Sequence, residues 1–79
     1  MATYRLRVWV GPVGVVEMGR KLRRAGLRVP STGTEHLTVD VKATDCTDAT
    51  IKMSDALRRK YKKDFGLRPA TCTRRARGR

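Results

Sequence analysis

Thr3-Tyr4-Arg5-Leu6-Arg7-Val8-Trp9-Val10 alternates without a break. Tyr4, Leu6, Val8 and Val10 fall on one side of an extended chain; Thr3, Arg5, Arg7 and Trp9 fall on the other. A period of two marks a strand with one face in a core. The opposite face carries two arginines and the only tryptophan of the chain. The rest of the sequence is read by asking what covers the apolar side of this strand and what meets the other.

Gly11-Pro12-Val13-Gly14 breaks the strand and turns the chain. Residues 15–25 then repeat apolar side chains at three- and four-residue steps, with Val15, Met18, Leu22 and Ala25 on one stripe. Arg20, Lys21, Arg23 and Arg24 lie mostly off it, and Glu17 stands four before Lys21. Gly19 borders the stripe, where it allows close approach to a sheet. Gly26 is placed to end this helix in a left-handed cap, with Leu27 as the apolar contact that follows.

Residues 27–29 make a short second strand that Pro30 ends or confines to an edge, and 31–34 are turn material. Residues 35–43 alternate again, with Leu37, Val39, Val41 and Ala43 facing in and His36, Thr38, Asp40 and Lys42 facing out. Thr47 or Asp48 can cap a second helix over about 49–65. Its buried stripe is Ala49, Met53, Ala56, Leu57, Tyr61 and Phe65, and Gly66 is placed as its C-cap. Residues 67–73 suit a fourth strand, which Pro69 restricts to an edge, with Ala70 and Cys72 facing in. Residues 74–79 carry no large apolar side chain and are expected to form a disordered basic tail after a single domain over 1–73.

Strand, helix, strand, strand, helix and a fourth edge strand make an α+β chain. The expected architecture is a ferredoxin-like two-layer sandwich, with both helices packed on one face of an antiparallel sheet and the first and third strands central. The other face of the sheet is left open. Arg5, Arg7 and Trp9 would share it with His36, Thr38, Asp40 and Lys42.

The chain has 79 residues, enough for one domain with a thin core, which oligomerisation as a homodimer would supplement. Its 19 Lys and Arg against 7 Asp and Glu leave a net charge of +12, a field that attracts polyanions. Residues 14–26 hold four cations and one acid, 48–66 six and three, and 67–79 five and none. No apolar run has signal or membrane-spanning length, so the expectation is a cytoplasmic protein with no membrane partner. Cys46 and Cys72 are not part of a Cys-x-x-Cys pair; they are expected as free buried thiols, with a bridge between them as the other reading. Neither a metal site nor a cofactor is expected.

Single strands bind where cations track phosphates and an aromatic plane takes a base. On the open face Trp9 supplies a plane, and Arg5, Arg7 and Lys42 supply charge. This is similar to the working surface of RNA-recognition motifs, which place stacking residues on the same two central strands. Their Lys/Arg-Gly-Phe/Tyr-Gly/Ala-Phe signature is absent from residues 35–43. A second cationic set lies on the helices (Arg20, Arg24, Arg59, Lys62, Lys63) and a third in the tail (Arg74, Arg75, Arg77, Arg79). Neutralising about six phosphates gives a log–log salt slope near −5. Such contacts bring affinity rather than sequence readout.

Catalysis has little support. His36 is the only histidine, and Asp40, four residues on, is about 13 Å away along a strand at about 3.3 Å per residue. Asp40, Asp45 and Asp48 read as exposed, turn and cap residues rather than as a metal-dependent nuclease centre. The expected function is a small non-enzymatic nucleic-acid-binding protein, with DNA and RNA undistinguished. The alternative is an interaction module or adaptor that docks on an acidic partner, a profile also found in phage and mobile-element accessory proteins.

Overall fold

A computed structural model describes residues 2–75 of the chain. In order it contains β1 (Ala2–Trp9), α1 (Val15–Arg24), β2 (Arg28–Thr32), β3 (His36–Ala43), α2 (Cys46–Tyr61) and β4 (Pro69–Arg74). The four strands form one antiparallel sheet whose order departs from that of the chain: β2-β3-β1-β4. β1 and β3 are central, in a register that runs from Ala2 opposite Ala43 to Trp9 opposite His36.

Alternation within β1 and β3 builds the core. Leu6, Val8, Leu37, Val39, Val41 and Ala43 are buried on one face. Val15 and Leu22 of α1 and Ala49, Met53 and Leu57 of α2 are buried against them in the same cluster, so both helices cover that one face. Each side chain of Leu or Met size sealed in this way contributes about 1.5–3 kcal/mol. Gly19 is buried where α1 crosses β2; a Cβ there would stand 3.2 Å from the Thr32 methyl. The glycine therefore sets how closely the helix seats on the edge strand.

Helix α1 ends as its sequence implies. Gly26 has φ +91°, its N–H donates to the Arg23 carbonyl, and the Leu27 N–H donates to the Leu22 carbonyl. This pair of bonds is the Schellman closure, and it needs a residue that tolerates positive φ.

Helix α2 is displaced from its expected bounds. It starts at Cys46, because Asp45, rather than Thr47 or Asp48, is the N-cap and its carboxylate accepts from the Asp48 N–H at 2.7 Å. Asp48 reaches back to accept from the Thr44 N–H at 3.0 Å, so the two acids share the free amides between them. The helix stops at Tyr61. Lys62, with φ 57°, is the left-handed cap in place of Gly66. Phe65 lies beyond the helix and packs edge-on against Tyr61, with ring centroids 5.8 Å apart.

Both edge strands also differ from expectation. β2 runs through Pro30 to Thr32, where a turn was expected from Ser31. An edge strand bonds on one side only, and the register shift between Arg28 and Ser31 accommodates the proline. β4 forms at the other edge, but a register shift opposite Arg7 and Val8 leaves Ala70 exposed instead of facing in. Arg74 closes β4 and so belongs to the domain. Of the tail expected over 74–79, residues 76–79, with Arg77 and Arg79, lie outside the described residues.

The cysteines are not free thiols. Cys46, the first residue of α2, and Cys72, opposite Leu6 on β4, form a disulfide with Cα atoms 6.1 Å apart. The bridge was the second reading of the sequence, across a separation of 26 residues. It becomes geometric only once the N-terminus of α2 lies over β4. β4 has no fully buried side chain, so the bridge is its main attachment to the helical layer.

Candidate nucleic-acid interface

No helix among the described residues covers the far side of the sheet, and the strand registers arrange its side chains in four rows. Trp9 stands opposite His36. One step inward, Ser31, Thr38, Arg7 and Thr71 cross the sheet from edge to edge, followed by Arg28, Asp40, Arg5 and Thr73. Thr3 and Lys42 make the last row, where the Arg75 N–H donates to the Thr3 carbonyl at 2.9 Å. Rows lie two residues apart, about 6.6 Å at 3.3 Å per residue, and strands about 4.8 Å apart.

The centre of this face is an ion cluster. Arg5 forks onto Asp40, Nε donating to Oδ1 at 2.9 Å and Nη2 to Oδ2 at 3.1 Å. Arg75 Nη1 donates to the same Oδ2 at 3.1 Å. The two arginines cover the carboxylate, so Asp40 is 7% exposed where the alternation placed it outward in solvent. Burial pushes the Asp40 carboxyl up. The hydrogen bonds and charge of Arg5 and Arg75 outweigh that effect and hold it below the usual carboxylate range. In return the hydrogen bond from Arg5 to Asp40 raises the guanidinium further. Arg5 and Arg75 are thus committed to a structural pair and keep only part of their donor capacity for a ligand.

Around the cluster the face is open. Trp9 is 55% exposed, and its indole lies alongside Gly11. Arg7, Arg28 and Lys42 are exposed, with no acid in ion-pair range among the described residues. The Ser31 and Thr38 hydroxyls share a hydrogen bond at 2.9 Å beside Arg7. Three cations, Arg7, Arg28 and Lys42, and the indole therefore share one surface on which Asp40, the only acid of the four rows among the described residues, is already neutralised.

The remaining sites expected from the sequence fall elsewhere. Arg20 and Arg24 are exposed on α1, and Arg59, Lys62 and Lys63 are exposed on α2 or just past it. Arg74 pairs with Tyr4, whose side chain belongs to the helix-covered side, and so turns away from Arg5 and Arg7. The structure therefore divides the cationic residues into a sheet-face set and a helix-layer set.

Three features were not singled out in the sequence. His36 becomes a second ring beside Trp9 only through the β1–β3 register. Arg28 joins the open face through its pairing with Asp40. Asp40 acts as the clamp for Arg5 and Arg75. The alternation around His36 and Asp40 was the one signal available, and it gave the face without the neighbours.

These features define a small α+β domain with an open, four-stranded antiparallel sheet and two helices on one side. Comparison with known protein families, with curated proteins and with solved structures finds no match in any of the three. No helix among the described residues is long and apolar enough to cross a membrane.

Proposed function

We propose that this domain is of the ferredoxin-like kind and binds single-stranded nucleic acid on its open sheet face, without catalysing a reaction. Support for the fold comes from the β2-β3-β1-β4 order with both helical crossovers on one side. The binding reading is carried by one observation: the exposed Trp9 ring, opposite His36, stands one row from Arg7, and among the described residues no acid pairs with Arg7 and no helix covers this surface. A base stacked on the indole brings its phosphate within reach of a guanidinium about 6.6 Å away at 3.3 Å per residue. Lys42 extends the positive track to the other end of β3. Most of the affinity is electrostatic and independent of sequence.

Titrating labelled single- and double-stranded oligonucleotides at low and moderate salt, with Trp9 emission as a second readout, tests the reading. The expected result is a Kd on the order of 1–100 µM that weakens steeply with salt, with quenching of Trp9 by single strands. Absence of binding even at low salt overturns it and favours an adaptor for an acidic protein. That second reading has its own observation: Val13 and Val16 are 95% and 58% exposed at the start of α1, an apolar contact with no use in phosphate binding.

A further inference from the structure

We infer that one molecule holds two nucleic-acid strands at once, one on the open sheet face and one on the outer surface of the helices, and so bridges them. The inference rests on the binding reading above and adds a second, separate surface to it.

Helix geometry creates that surface. α1 turns Val15, Gly19 and Leu22 to the sheet, and Arg20 and Arg24, one turn apart, are left exposed. α2 buries Ala49, Met53 and Leu57, and Arg59, two residues or about 200° past Leu57, faces away. Lys60, Lys62 and Lys63 extend the same end of α2 in exposed positions. The acids on this side are already engaged. Glu17 pairs with Lys21, Asp48 with Lys52 and Asp55 with Arg58, while Asp64 accepts from the Gly66 N–H. Six cations are therefore exposed with no ion pair among the described residues: Arg20, Arg24 and Arg59 on outward faces, Lys60 bordering the buried stripe, and Lys62 and Lys63 just past the helix, where Lys63 lies 5.3 Å from the Phe65 ring centre.

Distance decides whether these are one binding surface or two. The whole sheet stands between this set and Arg7, Trp9 and Lys42, and the smallest extent of the molecule is 19 Å. The screening length is about 10 Å at 0.1 M salt. A strand seated on one side leaves the potential on the other largely intact, so each side recruits its own polyanion. The occupant on the helical side is a phosphate backbone rather than an acidic protein. Exposed apolar side chains lie one turn before Arg20 (Val16) and about two turns before Arg59 (Ile51), so the choice of occupant rests on charge: exposed cations without ion-pair partners among the described residues suit a phosphate backbone.

Two short, non-complementary homopyrimidine oligonucleotides, one carrying a donor dye and one an acceptor, are mixed with the full chain at about 0.1 M salt, where the two sides are screened from each other. Bridging gives energy transfer that rises to a maximum near one protein per two strands and falls at excess protein, where each strand has its own molecule. The variant Arg59→Gln/Lys62→Asn/Lys63→Gln keeps the left-handed cap in a tolerated residue type. It is expected to retain Trp9 quenching and lose at least about five-fold in transfer, and circular dichroism checks that it folds. Trp9 quenching without transfer, as an acidic-protein site on the helices would give, overturns bridging and leaves the sheet-face reading standing. So does transfer that the triple variant leaves unchanged, or that tracks protein dimerisation in sedimentation. Loss of quenching and transfer together in the unsubstituted protein removes both readings.

Discussion

Arg75 donates to Asp40 Oδ2 at 3.1 Å across the open face of the sheet, sharing a carboxylate that Arg5 already grips through both oxygens. The contact ties the end of the described chain to its central strand and turns a residue read as tail into part of the domain. It also separates the cations that maintain the face from those left to bind.

Asp40→Asn removes the charge from this cluster and leaves two guanidiniums facing each other. A loss of about 1–3 kcal/mol is expected, the range for a hydrogen bond to a charged group in a partly exposed setting. The folded-state pKa of Asp40 lies below its ordinary value. Its stabilisation is therefore complete above the unfolded value of about 3.9 and is lost as pH falls through the lower, folded value. Urea midpoints between pH 7 and pH 2 should drop more steeply in the native chain than in Asp40→Asn. Parallel curves would remove the cluster from the pH dependence.

Reducing the Cys46–Cys72 bridge releases a loop closed by residues 26 apart. The chain-entropy relation assigns such a closure about 3.5 kcal/mol, a large share of the stability of a 79-residue domain. Cys46→Ser/Cys72→Ser should lower the denaturant midpoint accordingly. Amide exchange should accelerate first in β4, which buries no side chain fully. Uniform acceleration across the sheet would show that the bridge stabilises the whole fold rather than the edge.

Trp9→Ala should cost less than about 1 kcal/mol of folding stability, because just over half of the side chain is already in solvent. A stacked base is worth about 1–3 kcal/mol, so affinity for single-stranded oligonucleotides should fall about 5- to 150-fold. Fluorescence anisotropy at fixed salt measures the second quantity and thermal melts the first. A large stability loss with unchanged affinity would make the indole a structural cover.

Arg7→Gln and Lys42→Gln each remove a cation that has no acid partner among the described residues. Each should lower the magnitude of the log–log salt slope by about 0.7 for single strands without changing sequence preference. Arg5→Gln should instead act mainly through stability, since its donors are held by Asp40. Binding isotherms at several salt concentrations distinguish the two behaviours.

Gly26→Ala keeps the helix composition but places a Cβ at φ +91°. A cost of about 1–2 kcal/mol is expected from the left-handed conformation, read as a shift in melting temperature. No change would mean that the Leu27-to-Leu22 closure survives by another backbone path.

Local periodicity settled much of this protein before any contact was considered. Alternation in β1 and β3 is backbone geometry, since side chains two apart must share a face, and it named the inward Leu6, Val8, Leu37 and Val39. The stripe through Val15 and Leu22 and the glycine after α1 follow from helical pitch and φ in the same way. The open face and the surplus of cations on it were legible for that reason. Tertiary structure alone decided what pairs across distance. Asp45 won the cap of α2 over its neighbours through backbone placement, and Pro30 was absorbed because β2 is an edge. Cys46 met Cys72, Arg5 and Arg75 closed on Asp40, and His36 came beside Trp9. Each of those contacts depends on strand register and on how a helix lies over the sheet, quantities set by packing the whole chain rather than by the spacing of residues along it.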